Sequence, residues 1–293
     1  MLECPRDDLH RYAVQAGLTW IDDPSNAETR HARNFLRHAV LPLLRERWPQ
    51  LDTAIGHSAR WLGATAEFLD QEARRALAMI QGLDPATLQW QAWIGLPDAL
   101  RGPVLREWLR GLALAPPEHF HIDQLHRQLT CSQETKLLQV SWHGAEVRRY
   151  RTLLYAMAPT PAPPPDWQFS WHGHPLELPP GSGTLALRDA KDGSVTLQEP
   201  LTVRLRNGGE TIKPAGDRHT RELRDLWQGA GVPPWQRGRM PLVYRGNTLA
   251  AVGDLWQTDS FRDWLDAQGA RLVWTLPPSH GDTFSIDRHL GLR

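Results

Sequence analysis

Two groups of side chains in this sequence could hold a polyanion. The first runs from Asp22-Asp23-Pro24-Ser25-Asn26 to Arg33-Asn34-Phe35-Leu36-Arg37. On a helix Arg33 and Arg37, four residues apart, share one face. Two guanidinium groups flanking an amide suit a phosphate and a base edge, because planar donors pair well with phosphate oxygens. The same residues read equally well as an Asx-type turn, a helix start and a solvated basic face. The second group lies between residues 204 and 245, where nine Lys or Arg stand against four Asp or Glu in a chain of zero formal net charge. Trp227, Trp235 and Tyr244 interleave with these cations, the footprint expected for nucleic-acid backbone contact. A smaller basic knot is Arg148-Arg149-Tyr150-Arg151. On a strand Arg149 and Arg151 point one way, Arg148 and Tyr150 the other. A solvated basic face is the competing reading here too.

Other chemistries have little support. The chain contains no GxxxxGK[ST], no GxGxxG and no GxSxG. Gly181-Ser182-Gly183 is too short to argue from. Asn207-Gly208-Gly209-Glu210 could cradle a phosphate through backbone amides, but a tight strand-ending turn is the stronger reading. His119, His121 and His126 crowd together without a Cys or carboxylate at zinc spacing, so no metal site is expected. Cys4 and Cys131 lie outside any CxxC pair and cannot build a disulfide framework, which suits a reducing cytoplasm. No apolar run is long enough to cross a membrane, and MLECPRDDLH lacks a basic-then-apolar leader. Thirty of the 33 basic residues are Arg, and the 14 Trp outnumber Phe and Tyr together. Both types suit RNA contact, although genome base composition and core packing account for them more simply.

The elements that must position these residues follow from spacing. At about 150 residues per domain, the length gives roughly two domains. Residues 5–17 read as a short helix stopped by Gly17, and a helical pattern over 33–47 should kink or split at Pro42. Leu51, Ile55, Leu62, Ala66, Leu69, Ala73 and Leu77 predict a long amphipathic helix. Further helices are expected near 96–112 and 117–129, and paired strands at 136–143 and 145–157 around His143-Gly144. Residues 159–166, PTPAPPPD, form a stiff connector. Beyond it, strands are expected near 168–178, 184–188, 201–206, 241–245, 248–252 and 271–276. One helix, at 219–229, should carry Leu223, Leu226, Trp227 and Ala230 on its core face. The last dozen residues are polar and read as loose.

Trp20-Ile21-Asp22-Asp23-Pro24-Ser25-Asn26, Arg33-Asn34-Phe35-Leu36-Arg37 and Leu41-Pro42-Leu43-Leu44 together resemble the bacterial tRNA(Ile)-lysidine synthetases. So do Glu146-Val147-Arg148-Arg149-Tyr150, Arg206-Asn207-Gly208-Gly209-Glu210, and Gly231-Val232-Pro233-Pro234-Trp235-Gln236-Arg237 followed by Pro241-Leu242. The order and spacing hold from about residue 2 to residue 275. The resemblance implies a multi-domain α and α+β chain. Residues 1–50 would be the end of an α/β ATP-pyrophosphatase (PP-loop) domain, and 51–158 a helical tRNA substrate-binding domain. After the linker at 159–166, residues 167–293 would be a small α+β tRNA-binding domain.

It also implies an activity. The family adenylates the wobble cytidine of isoleucine tRNA (CAU anticodon) with ATP and Mg2+, and lysine then displaces AMP. Asp23, Asn26, Arg33, Asn34 and Arg37 would border the catalytic cleft. Arg148, Arg149, Arg206, Arg221, Arg224 and Arg237 would contact tRNA backbone, positioning it without reading its sequence. His31 departs from the family's usual Tyr. The family's Ser-Gly-Gly-x-Asp-Ser loop occurs nowhere in the 293 residues. The chain is therefore expected to be a C-terminal portion that makes no lysidine alone, cytoplasmic, with homodimers compatible with the family. A stand-alone tRNA-binding module and a degenerate gene fragment are the alternatives.

Overall fold

The computed structural model describes Cys4 and residues 6–21, 24–131 and 138–276. Asp22, Asp23, the start of the strand expected from 136, and the polar C-terminal dozen lie outside the described residues. The chain falls into two compact units, Met1–Phe68 and Leu69–Arg293.

In the first unit, helix α1 (Arg6–Gln15) carries Asp7 and Asp8 in its first turn, where a carboxylate favours the positive end. It ends on Gly17 at φ 65°, with the Leu18 amide reaching the Ala13 carbonyl and the Gly17 amide reaching Val14. That pairing needs a left-handed residue, which glycine supplies without strain. A 3-10 turn, Pro24–Ala27, precedes α2 (Ala32–Phe35) and α3 (Leu41–Arg47). Between α2 and α3 runs a π-helical turn, Leu36–Val40. The expected break at Pro42 takes this form. Proline offers no amide and crowds the carbonyl four residues back, and a widened turn just before it accommodates both. Arg45 donates Nε and Nη2 to the two Asp52 oxygens at 2.8 and 3.0 Å, tying α3 to the start of α4 (Leu51–Ile80). The Arg45 hydrogen bond holds the Asp52 carboxyl below its usual range.

Apolar spacing in this unit does not translate into burial. No described residue from 4 to 68 is buried. Ile21 is 96% exposed, and Leu18, Trp20, Leu36, Leu43, Ile55 and Leu62 are exposed too. The α4 stripe becomes core only at Ala73, Ala76 and Ile80. The periodicity predicts the helix correctly but not what covers its first turns.

The second unit holds two cores. The first joins the end of α4 to β1 (Thr87–Gln89), α5 (Trp90–Ile94), α6 (Asp98–Gly111) and α7 (His119–Cys131). It also takes in β2 (Gln139–Trp142), β3 (Ala145–Tyr150) and β4 (Leu153–Met157). These strands form an antiparallel sheet in the order β1-β4-β3-β2, so the middle region is mixed and not purely helical. Gly144 turns the β2–β3 hairpin at φ 81°, as its position predicts. The strand expected over 145–157 instead reverses at Arg151, a non-glycine residue at φ 54°. Arg151 therefore leaves the strand and does not share a face with Arg149.

The second core unites two sheets. Strands β5 (Gln168–Trp171) and β6 (Leu176–Glu177) replace the one strand expected over 168–178. They belong to different sheets, with Gly173 at φ 95° between them. Strands β7 (Thr184–Arg188), β8 (Leu201–Arg204), β9 (Thr211–Ile212) and β10 (Arg221–Glu222) follow. Then come α8 (Leu223–Gly229), α9 (Pro234–Arg237), β11 (Leu242–Arg245), β12 (Thr248–Val252), β13 (Trp256–Gln257), α10 (Asp259–Ala267) and β14 (Arg271–Thr275). The sheets run β13-β12-β11-β8-β5, β14-β7-β6 and β10-β9. The helix expected at 219–229 starts only at Leu223, because Arg221 and Glu222 pair with Ile212 and Thr211.

Tryptophans anchor both cores. Trp93, Trp108, Trp171 and Trp227 are fully buried. The indole N–H groups of the first three donate to the carbonyls of Arg101, Pro85 and His174. A buried ring with its one donor satisfied keeps its whole hydrophobic contribution. Trp108→Ala should lower unfolding free energy by about 3–5 kcal/mol in urea titrations, and a loss below about 1 kcal/mol would contradict this account.

Candidate nucleic-acid interface

The first sequence constellation is held together mainly by Asn34. Its Nδ2 donates to the Ser25 carbonyl at 2.8 Å and the Glu28 carbonyl at 3.1 Å, fastening the 24–27 turn to the helix. His38 Nε2 lies 3.0 Å from the Asn26 carbonyl and adds a second tie. Sequence reading missed His38, whose spacing of four from Asn34 was the available signal. Arg33 is exposed and Arg37 half-buried, and no ion pair among the described residues holds either. Asn34 thus positions a turn, while Arg33 and Arg37 keep their charges available.

The basic stretch from 204 to 245 divides into engaged and available cations. The Arg204 guanidinium stacks on the Tyr244 ring at 4.0 Å and bonds to its hydroxyl. Arg206 lies 5.1 Å from the Trp227 ring centre and 3.7 Å from Glu210. Arg245 covers Trp264 at 4.8 Å. Arg237 donates to the Val232 carbonyl and the Tyr150 hydroxyl, and Arg239 to the carbonyls of Thr160, Pro161 and Pro180. In the middle region Arg148 pairs with Glu146 at 2.9 Å, and Arg149, only 7% exposed, lies over Trp90.

Besides Arg245, four cations of this stretch are exposed: Lys213, Arg218, Arg224 and Arg221, the last paired with Asp217. These four lie on or beside the β9–β10 pair. The loop between the two strands is tied down. The Ala215 amide donates to the Gln257 carbonyl at 2.7 Å, the Asp217 amide to Pro214 at 2.9 Å, and the Gly216 amide to Asp259 at 3.3 Å. Asp217 accepts from the His219 amide at 3.1 Å and from Arg221 Nε at 2.6 Å. The His219 amide first, and Arg221 second, lower the Asp217 pKa. Lys213 and Arg218 count in the sequence only as members of the basic stretch, because nothing in TIKPAGDRH announces that the loop is ordered. An open cleft of about 380 Å³ lies beside β9, lined by Arg204, Gly208, Glu210, Tyr244, Asn247 and Thr248 among others.

The Asn207-Gly208-Gly209-Glu210 segment resolves as a self-filled turn. Glu210 Oε1 accepts from the Asn207 and Gly208 amides at 2.6 and 2.9 Å, so the chain's own carboxylate sits where a phosphate would. The three histidines have separate partners: His119 faces Asp123, His121 accepts from the Glu118 amide, and His126 meets Arg101. Among the described residues no cluster of His, Cys, Asp or Glu could hold a metal, and no helix is long and apolar enough to cross a membrane. Asp23 lies outside the described residues. Among the other expected site residues, Arg148 and Arg237 come together at the Trp235–Tyr150 contact. Asn26, Arg33, Asn34 and Arg37 belong to the first unit, and the remaining arginines are spread over two cores of the second.

Comparison with known families gives these pieces a common origin. Residues 1–44 match the PP-loop domain, 88–155 the TilS substrate binding domain, and 201–274 the TilS substrate C-terminal domain. The class so defined is a PP-loop segment followed by two substrate-handling domains. The chain is 38% identical over 277 residues to the tRNA(Ile)-lysidine synthase of Xylella fastidiosa strain Temecula1, covering 94% of this chain and 63% of that protein. The synthases of Xanthomonas campestris pv. campestris strain 8004 and Coxiella burnetii are 35% and 34% identical, over 92% and 94% of this chain and 61% of each relative. This chain belongs to the tRNA(Ile)-lysidine synthase family, to whose C-terminal portion it corresponds. It spans a little under two thirds of the length of these relatives.

Asp217→Ala should expose the His219 amide to hydrogen exchange near neutral pH. Because folding lowers the Asp217 pKa, its contribution is present above the ordinary carboxylate range, about pH 4, and is lost as pH falls through the depressed value. Protection in the parent and the variant, each referred to intrinsic rates, should therefore converge in strong acid. A difference that persisted unchanged there would contradict this role.

Proposed function

We propose that this chain supplies the tRNA-gripping part of a lysidine-forming enzyme. In this reading the enzyme ligates lysine to the wobble cytidine of an isoleucine tRNA with a CAU anticodon, through an adenylated intermediate. The observation that carries the proposal is the ordered β9–β10 loop with Lys213, Arg218, Arg221 and Arg224 at its surface, inside a matched substrate C-terminal domain. Exposed cations on a tied-down loop reach phosphates at little ordering cost. The Arg221–Asp217 pair is open to water, so exchanging Asp217 for a phosphate sacrifices little. Within the first unit Arg33 and Arg37 are further cations without an ion pair among the described residues, and Asn34 positions their helix; by family resemblance they serve the catalytic cleft. Arg206 and Arg149, engaged with Trp227 and Trp90, support this surface more than they touch RNA.

The PP-loop match over residues 1–44 supports ATP as co-substrate, while the 293 residues contain no Ser-Gly-Gly-x-Asp-Ser loop to cradle its phosphates. In this reading ATP and lysine are held by a PP-loop core that these residues do not contain, and that core covers the apolar side chains bare in residues 4–68. Cytoplasmic location and homodimer formation belong to the same reading through family resemblance. A second reading, a tRNA-binding module without catalysis, is favoured by the two cores of the second unit, which lie wholly within this chain.

The purified chain should bind isoleucine tRNA with an affinity that falls steeply with salt, and should form no lysidine. Arg221→Ala with Arg224→Ala should weaken binding to all tRNAs alike and flatten the log–log salt dependence by roughly 0.7–0.9 per lost phosphate contact. Unchanged affinity and slope would discard the loop as the contact surface, and turnover by the chain alone would overturn the assignment of ATP elsewhere. Adding the N-terminal third of a relative separates the two readings: lysidine formation supports the enzyme portion, and binding without it supports the module.

A further inference from the structure

The motif Val232-Pro233-Pro234-Trp235-Gln236-Arg237 is not at the exposed surface with the loop cations. Pro233, in extended backbone at ψ 147°, starts the single turn of α9 and directs Trp235 toward the β3–β4 hairpin of the other core. There the indole meets Tyr150 edge-on at 6.2 Å and Tyr155 at 5.4 Å, and the Arg148 guanidinium covers it at 5.3 Å. Arg237 donates Nη2 to the Tyr150 hydroxyl at 3.2 Å while its Nε stays on the Val232 carbonyl at 2.9 Å. From the opposite side Arg151, at the hairpin turn, reaches the Gln228 carbonyl at the end of α8. Arg239 binds the carbonyls of Thr160 and Pro161 at 2.9 and 3.0 Å, fixing the proline connector to the same place. Aromatic rings, one ion-paired cation and carbonyl acceptors close this contact from both domains. Ile212 of β9, Leu223 and Trp227 of α8 and Val232 just before α9 are buried in one core, so the β9–β10 pair and α9 move together.

We infer that Trp235 and Arg237 are positioning residues. They clasp the C-terminal domain to the β3–β4 hairpin and present the β9–β10 cations to tRNA in one orientation. The inference rests on the tRNA-binding reading for its consequence, but the clasp is testable without RNA. A free joint must be ordered when RNA binds, which costs affinity without removing any phosphate contact. The number of phosphates neutralised sets the salt slope, so that slope should not change.

The test uses the full chain as Trp235→Ala, Trp235→Phe and Tyr150→Phe, with small-angle scattering in the absence of RNA and tRNA binding across a salt series. Trp235→Ala should broaden the distance distribution while far-ultraviolet circular dichroism stays unchanged. It should raise Kd on the order of tenfold at every salt concentration, with the parent's log–log slope. Trp235→Phe, which keeps an aromatic edge, should recover most of both. Tyr150→Phe removes only the oxygen that accepts from Arg237, and should show the same changes to a smaller degree, which keeps the test decisive if Trp235→Ala misfolds. Unchanged scattering in Trp235→Ala, or in Tyr150→Phe should the former misfold, overturns the clasp. A slope reduced by a full phosphate contact also overturns it, by making the motif part of the RNA surface. If the parent chain binds no tRNA, the tRNA-binding reading fails and scattering alone decides the clasp.

Discussion

Trp235 lies edge-on to two tyrosines of the β3–β4 hairpin, beneath an arginine, and the arrangement of the C-terminal half depends on that contact. Each of the two cores beyond residue 69 closes with its own tryptophans. Five prolines in eight residues link them, a connector stiff along its length but indifferent to rotation at its ends. Side-chain contact between the domains must therefore set their bearing. An indole, which brings a large apolar area with few rotatable bonds, suits that task.

The same logic sorts the arginines. A guanidinium is planar, permanently charged and weakly hydrated, so it stacks on any ring and bonds any carbonyl that the fold brings near. Arg148, Arg149, Arg204, Arg206 and Arg245 each lie over an aromatic ring. Arg239 is surrounded by carbonyls, and its burial, with Arg148 nearby, lowers its pKa. What remains for a polyanion within residues 204–245 is set by subtraction: Lys213, Arg218 and Arg224, together with Arg221, whose partner Asp217 is itself open to exchange. These gather around the β9–β10 loop, and the local charge excess is smaller in effect than a count from the sequence suggests.

Much of the fold was legible because its signals are local. The 3.6-residue period marked α4, α6 and α7, Gly17 marked the end of α1, and Gly144 marked the β2–β3 turn. The unread parts depend on partners distant in sequence or on unusual backbone. Arg151 turns the chain at positive φ without being glycine. Strands β9 and β10 are two residues each and exist through their pairing. Helix α10, unread, starts where the Thr258 hydroxyl accepts from the Phe261 amide at 3.2 Å, a cap that composition alone does not distinguish from a loop. The candidate site was half legible. The type and region of its residues were visible, but which arginines are engaged depends on rings up to 87 residues away, as for Arg237 and Tyr150. Exposure in residues 4–68 was illegible for a related reason: an apolar stripe specifies a buried face without specifying what buries it.

The most direct measurement is hydrogen exchange of the whole chain with and without isoleucine tRNA, resolved to short peptides. The account predicts RNA-dependent protection over residues 213–224, with little change across the already closed Trp235 contact. Protection centred on residues 148–151 and 232–239, with the 213–224 loop unaffected, would contradict it.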